Sequence, residues 1–271
     1  MARFGISVVP NAAEVDEIRR AVVRADELGL DLVGIQDHPY VPRFVETWSL
    51  IADLFARTER ISIFPDVANL PSRLPAMIAK QAASLDVLSG GRFELGLGAG
   101  AQWDSIEALG GPRRSPGEAV DALGEAIRII RLCWSGQRSI ELEGSHYRVK
   151  GLDPGPPPAH PIGIWLGAYK PRMLELTGRL ADGWVPSVPY APPEVIPAMQ
   201  ARIDRAAEQA GRDPAEIRRI YNVMGSLDDS SEWRRYLELG FDTLIFWPKG
   251  DVLAEIERFV AEMVPALRAQ T

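Results

Sequence analysis

The hydrophobic pattern changes period many times along the chain. Phe4 to Val9 is a short apolar run closed by Pro10, which reads as a strand. Val15, Ile18, Val22, Ala25 and Leu28 then recur at three and four residues and stop at Gly29, the signature of an amphipathic helix with a glycine end. Leu32 to Ile35 is apolar throughout, as a strand covered on both faces should be. The spacing predicts a helix over Glu46 to Arg57, a strand over Ile61 to Val67, and a helix over Ala76 to Leu88 stopped by Gly90-Gly91. Phe93 to Leu97 is the next strand.

The second half keeps the same rhythm. Glu118 to Trp134 is a long helix with Val120, Leu123, Ile127 and Ile130 on one face. Strands follow at Ile162 to Leu166, Gly183 to Val185, Ile220 to Met224 and Asp242 to Phe246. Helices follow at Arg172 to Leu180, Glu194 to Ala210, Glu232 to Leu239 and Val252 to Leu267. Strict alternation of strand and helix means a parallel sheet, and eight such units in roughly 250 residues match a closed (β/α)8 TIM barrel of the α/β class. A doubly wound open sheet is the structural alternative. One segment departs from the rhythm: Ser139 to Lys150 alternates around Glu143-Gly144-Ser145 and reads as a β-hairpin excursion between the fourth helix and the fifth strand. The proline-rich stretch from Pro154 to Pro161 is a stiff connector back to the barrel. No linker separates two domains, so residues 1–271 are expected to form one.

Composition narrows the partners. Lys plus Arg number 30 against 37 Asp plus Glu, a net charge of −7, so no basic surface is available for nucleic acid. Hydrophobic residues are 46% of the chain, yet no run of about 20 apolar residues exists to span a membrane. The stretch Phe4 to Val9 is too short for a signal-peptide core. Cys133 is the one cysteine, which excludes an intrachain disulfide and fits a cytoplasmic location.

In barrels of this kind the working residues follow the C-terminal ends of the strands. Several familiar chemistries fail there. The three histidines, His38, His146 and His160, are scattered, so no metal-binding His pair is present. Facing carboxylates for a glycosidase are missing at Gly98 and Met224, and there is no Gly-x-Ser-x-Gly elbow. Lys170 and Lys249, candidates for a Schiff base, are expected on the outward side of proline turns.

Asp37-His38 directly follows an apolar strand and should project into the barrel mouth, where the imidazole can shuttle a proton and the carboxylate can hold a donor. The competing reading is that Asp37 caps a turn before Pro39 and His38 packs. Gly96-Leu97-Gly98-Ala99-Gly100 allows close backbone approach but is not a dinucleotide fingerprint; read alone, it is a tight turn. Gly167-Ala168-Tyr169 before Pro171 is either an ordinary loop or a phosphate site at a helix start. Trp103, Trp184 and Trp247 fall near strand ends and could wall a flat ligand.

Taken together, three stretches resemble the bacterial-luciferase-like superfamily of flavin and deazaflavin oxidoreductases. They are Leu85 to Gly100 (LDVLSGGRFELGLGAG), the helix end Ile129 to Gly136 with Gly144-Ser145-His146-Tyr147, and Ile164-Trp165-Leu166-Gly167-Ala168 followed by Ala181-Asp182-Gly183-Trp184. Asp37-His38 is similar to the branch that uses coenzyme F420. The resemblance implies a ring held beside Asp37 and His38, with His38 catalytic. It further implies a non-proline cis peptide at Asp66-Val67 backing the ring, and a coenzyme tail near Gly98, Ala99, Gly100, Gly167 and Ala168. Ala101 stands where sugar-phosphate dehydrogenases of that branch carry a glutamate, and Gly225 to Ser231 is short, so the pocket should be more open. The expected activity is hydride transfer between F420 and a small, mostly apolar substrate walled by Tyr40, Trp103 and Trp184. An FMN-dependent monooxygenase and a non-catalytic flavin-binding barrel are the alternatives. No metal is expected, and a homodimer is left open.

Overall fold

The structure, a computed structural model, describes residues 2–268; Met1 and residues 269–271 of the expected domain lie outside them. The elements run β1 (Arg3–Val8), α1 (Val15–Glu27), β2 (Leu32–Ile35), α2 (Thr47–Phe55), β3 (Ser62–Pro65), β4 (Ala68–Asn69) and α3 (Pro75–Ser89). They continue through β5 (Leu95–Gly98), α4 (Trp103–Ala108), α5 (Pro116–Trp134), β6 (Ile140–Glu143), β7 (Arg148–Leu152), β8 (Ile164–Leu166) and α6 (Pro171–Leu180). The last are β9 (Gly183–Trp184), α7 (Ile196–Gln209), β10 (Arg218–Val223), α8 (Ser230–Glu238), β11 (Thr243–Phe246), α9 (Val252–Arg258) and α10 (Val264–Arg268).

Nine of the strands form one parallel sheet in the order β3-β2-β1-β11-β10-β9-β8-β5-β4. The two ends of that order, β3 and β4, are consecutive in the chain. They are halves of one barrel strand: β3 pairs with β2 and β4 with β5. An isolated parallel bridge from Ile63 to Phe93 helps close the seam. Counting the halves as one leaves eight strands, the expected (β/α)8 barrel. β6 and β7 form the expected antiparallel hairpin, and Glu125 on α5 anchors it by accepting from the backbone N–H groups of Ser145, His146 and Tyr147.

The apolar residues divide by strand parity into two cores. Leu32, Phe64, Trp165, Val185, Ile220 and Ile245 fill the barrel interior, while a larger layer lies between the strands and the helices. The Phe64 and Trp165 rings meet edge-on at 5.0 Å and help plug the lumen. At about 25 cal/mol per Å² of apolar surface, such burial is the main favourable term in the fold. Because side chains fill the lumen below, any cavity must open above the plug, at the C-terminal ends of the strands.

Three local expectations need correction. The strand expected over Ile61 to Val67 ends at Pro65, ahead of the Asp66-Val67 peptide, which is cis as the resemblance implied. The helix expected over Val252 to Leu267 contains a π-helical turn, Phe259–Met263, which directs Phe259 and Met263 into the core. The short helix α4 was not anticipated; only Ile106 of its six residues is buried, too little for a periodic signal.

Candidate functional site

A cavity of about 680 Å³ opens at the C-terminal ends of the strands, a size suited to a small molecule or cofactor. The loop after β2 brings Asp37, His38 and Tyr40 to it; the break in the third barrel strand brings Asp66 and Val67; β5 and its loop bring Gly98, Ala99 and Gly100. Gly167 joins them from the loop after β8. Residues up to 130 positions apart in sequence therefore meet on one surface, as the sequence reading expected.

Asp37 plays a different part from the one its position suggested. Its carboxylate is buried and accepts from Arg73 Nη1 at 2.6 Å, from Arg73 Nη2 at 3.1 Å and from the Asn69 amide at 2.9 Å. Protein donors occupy both oxygens, so Asp37 braces the site rather than offering a free acceptor to a ligand. Arg73 also reaches Glu46 at 2.6 Å and lies over the Trp48 ring.

His38 is half-buried, with Nδ1 2.9 Å from the Tyr40 hydroxyl. Burial pushes its pKa below the ordinary histidine value, against the opposing pull of Asp37, so the ring is held neutral. One nitrogen is engaged by Tyr40, and the other is left for a ligand. Burial and the nearby Asp37 raise the Tyr40 phenol, so it too stays protonated.

Asp66 is the most perturbed acid of the cavity. Oδ1 accepts from Asn222 Nδ2 at 3.3 Å, while Oδ2 is shielded from solvent with no hydrogen-bond partner. Desolvation raises its pKa to about 7 against the smaller opposing effect of the Asn222 bond. The orientation of Asn222 is set from its other side. Trp247 Nε1, which can only donate, reaches Asn222 Oδ1 at 3.3 Å, so the amide NH2 must face Asp66.

The glycines of β5 and its loop serve the bulge more than a ligand. A Cβ at Gly98 would come within 2.8 Å of Val67 Cγ2, and Gly100, at φ +105°, would meet Pro71 at 2.6 Å. They let the broken strand lean across β5.

Several expected residues lie elsewhere. Trp184 is fully buried in the helix-facing layer, stacked on Phe241 at 5.9 Å with Nε1 donating to Ala168 O. Ala168 is likewise buried, and the Gly167 amide donates to Leu97 O at 3.4 Å, so neither presents the free phosphate-facing amide expected of it. Trp103 is not among the cavity walls; its ring lies beside Gly100. Conversely, Lys170, expected to face away, is exposed but borders the cavity at the start of α6. The aromatic walls are Tyr40, Tyr169, Tyr190 and Trp247. Among the described residues no three His, Cys, Asp or Glu side chains gather as a metal set, and no helix is long and apolar enough to cross a membrane.

A family model described as luciferase-like monooxygenase matches residues 1–247. An uncharacterised protein of Mycobacterium tuberculosis is 35% identical over 203 residues, 71% of this chain and 68% of its own length. An F420-dependent glucose-6-phosphate dehydrogenase of Nakamurella multipartita is 26% identical across 98% of this chain and 97% of its own. Among solved structures, an F420-dependent secondary alcohol dehydrogenase, in complex with an F420-acetone adduct, superposes with a TM-score of 0.89. It is 17% identical and covers 98% of this chain and 99% of its own.

Proposed function

The chain belongs to the luciferase-like monooxygenase family, and from that premise we propose that it is an oxidoreductase that binds coenzyme F420 and exchanges hydride with a small, mostly apolar substrate. The observation that carries the reading is the convergence of His38 and the Asp66-Val67 bulge on one aromatic-walled cavity. The residues present fit a flat, partly polar ring. The free nitrogen of His38 supplies a polar partner, and Val67 with Gly98 supplies an apolar floor. When bound, the coenzyme supplies the hydride chemistry. Lys170 and the uncapped start of α6 would hold an anionic tail at the rim. The described residues, 2–268, act as one barrel domain.

Within this site His38 contacts the reacting atoms. As a neutral ring it donates to or accepts from the atom at which charge develops, and Tyr40 holds its orientation. The deazaflavin is favoured over FMN by the F420-dependent relative and the F420-dependent structural neighbour. Purified protein titrated with each cofactor should bind F420 with a roughly micromolar Kd and FMN at least about tenfold more weakly. The reverse order would replace this reading with an FMN-dependent monooxygenase.

The substrate follows from the walls. Tyr40, Tyr169, Tyr190 and Trp247 offer stacking and area burial, and Ala101, which also lines the cavity, contributes no acid. Enones, quinones and imines should therefore be turned over, as read from deazaflavin absorbance, while sugar phosphates should not. Activity on sugar phosphates alone overturns the substrate class.

A further inference from the structure

A neutral imidazole carries one ring N–H, and the nitrogen that holds it decides whether His38 meets a ligand as a donor or as an acceptor. Nδ1 lies 2.9 Å from the Tyr40 hydroxyl, a contact that either partner can donate. Nε2 has no hydrogen-bond partner among the described residues, yet it is not closed off from solvent, and His38 lines the cavity. Whatever Nε2 carries is therefore presented to a bound molecule.

The direction of the Nδ1 contact is set from β4, the second half of the broken barrel strand. Ser72 Oγ donates to Asn69 Oδ1 at 2.9 Å, which leaves the Asn69 NH2 as the free end of that amide. The Asn69 side chain hydrogen-bonds the Tyr40 hydroxyl, where it opposes burial and Asp37, which both raise the phenol. Opposition of that sign belongs to a donor, since a hydrogen given to the phenol oxygen favours its charged form. The Asn69 backbone amide is itself tied to Asp37 at 2.9 Å, so the side chain starts from a fixed point. Tyr40 oxygen thus receives a hydrogen from Asn69 and has its own to give. The acceptor within reach is His38 Nδ1.

We propose that Tyr40 and Asn69 are positioning residues that lock His38 in the tautomer with hydrogen on Nε2, through a chain Ser72, Asn69, Tyr40, His38 in which every bond is donated in the same direction. The inference deepens the oxidoreductase reading above and rests on it for its kinetic consequence. His38 then faces the cavity only as a donor, so the atom it meets is an acceptor such as a carbonyl oxygen. A fixed donor there gains strength as negative charge gathers on that oxygen. An imidazole turned the other way would set a lone pair against it.

Imidazole nitrogen NMR on histidine-labelled, cofactor-free protein reads the tautomer, with the His38 signals assigned from His38→Ala. Wild type should show hydrogen on Nε2 and a bare, hydrogen-bonded Nδ1. Asn69→Asp reverses the chain: its carboxylate accepts from Tyr40, the phenol oxygen accepts from Nδ1–H, and the hydrogen leaves Nε2. Tyr40→Phe keeps the aromatic wall and should move the Nδ1 signal to that of an unbonded nitrogen while the second tautomer appears. With F420 bound, Asn69→Asp should lower kcat about 10²-fold with KM changed by less than about threefold, and Tyr40→Phe should fall between it and wild type. Hydrogen on Nδ1 in wild type overturns the proposal. So does a wild-type His38 spectrum in folded Asn69→Asp, or an unchanged Nδ1 signal in Tyr40→Phe. Wild type that binds no F420 overturns the cofactor reading instead, and the spectra still decide the tautomer.

Discussion

Replacing His38 by Ala is expected to lower turnover by about 10²–10⁴ and to weaken F420 binding, while leaving the fold nearly unchanged. The size of the effect follows from where the ring is. His38 lines the cavity, with Nδ1 held by Tyr40 at 2.9 Å and its face tilted against Tyr40 and Phe44 at 5.6 and 6.5 Å. Half-buried at a cavity edge, it contributes little to the core, so truncation should cost at most about 1 kcal/mol of stability. What it loses is an oriented neutral donor and acceptor. Because burial depresses the His38 pKa, the active neutral ring should persist as pH falls below the ordinary histidine value and be lost only at lower pH. Steady-state kinetics with melting curves and F420 titrations check both halves. Turnover within a few-fold of wild type, with the fold intact, would return His38 to a packing role.

Much of this site was legible because barrels put their working residues in predictable places. All-apolar strands closed by polar or glycine-rich segments announced the strand ends, so Asp37-His38, Asp66-Val67 and Gly98 to Gly100 could be assigned to one mouth from pattern and resemblance. Strand parity explains the misreading of Trp184. A Cβ on Gly183 would meet Trp165 inside the lumen, and Val185 also belongs to the inner core, so Trp184 between them must face the helices. The same parity could have found Asn222. Ile220 points into the barrel, and a polar residue two positions on, in an otherwise apolar register, marks a group aimed at the cavity floor. Arg73 had no such signal. It is 36 residues from Asp37 in a segment without periodicity, and only the fold brings them together.

That ion pair supports the other large expected effect: Arg73→Ala should destabilise the protein by about 3–5 kcal/mol and reduce turnover with it. The side chains of Asp37 and Arg73 are only 1% and 12% exposed, so removing the guanidinium strands a carboxylate that water cannot reach. The pair also has a structural task that surface bridges lack. Where the third barrel strand breaks, β4 pairs with β5 and not with β2. The Asp37 carboxylate spans that gap, accepting from the Asn69 amide of β4 while Arg73 braces it against Glu46 at the start of α2. Losing the brace should loosen the seam that carries His38 on one side and Asp66-Val67 on the other. Denaturant titration measures the cost, and the double variant Asp37→Asn with Arg73→Met should recover much of it, because no unpaired charge remains. A loss below about 1 kcal/mol for Arg73→Ala would mean that water or Glu46 rearrangement satisfies Asp37, and that the seam is held by the strands alone.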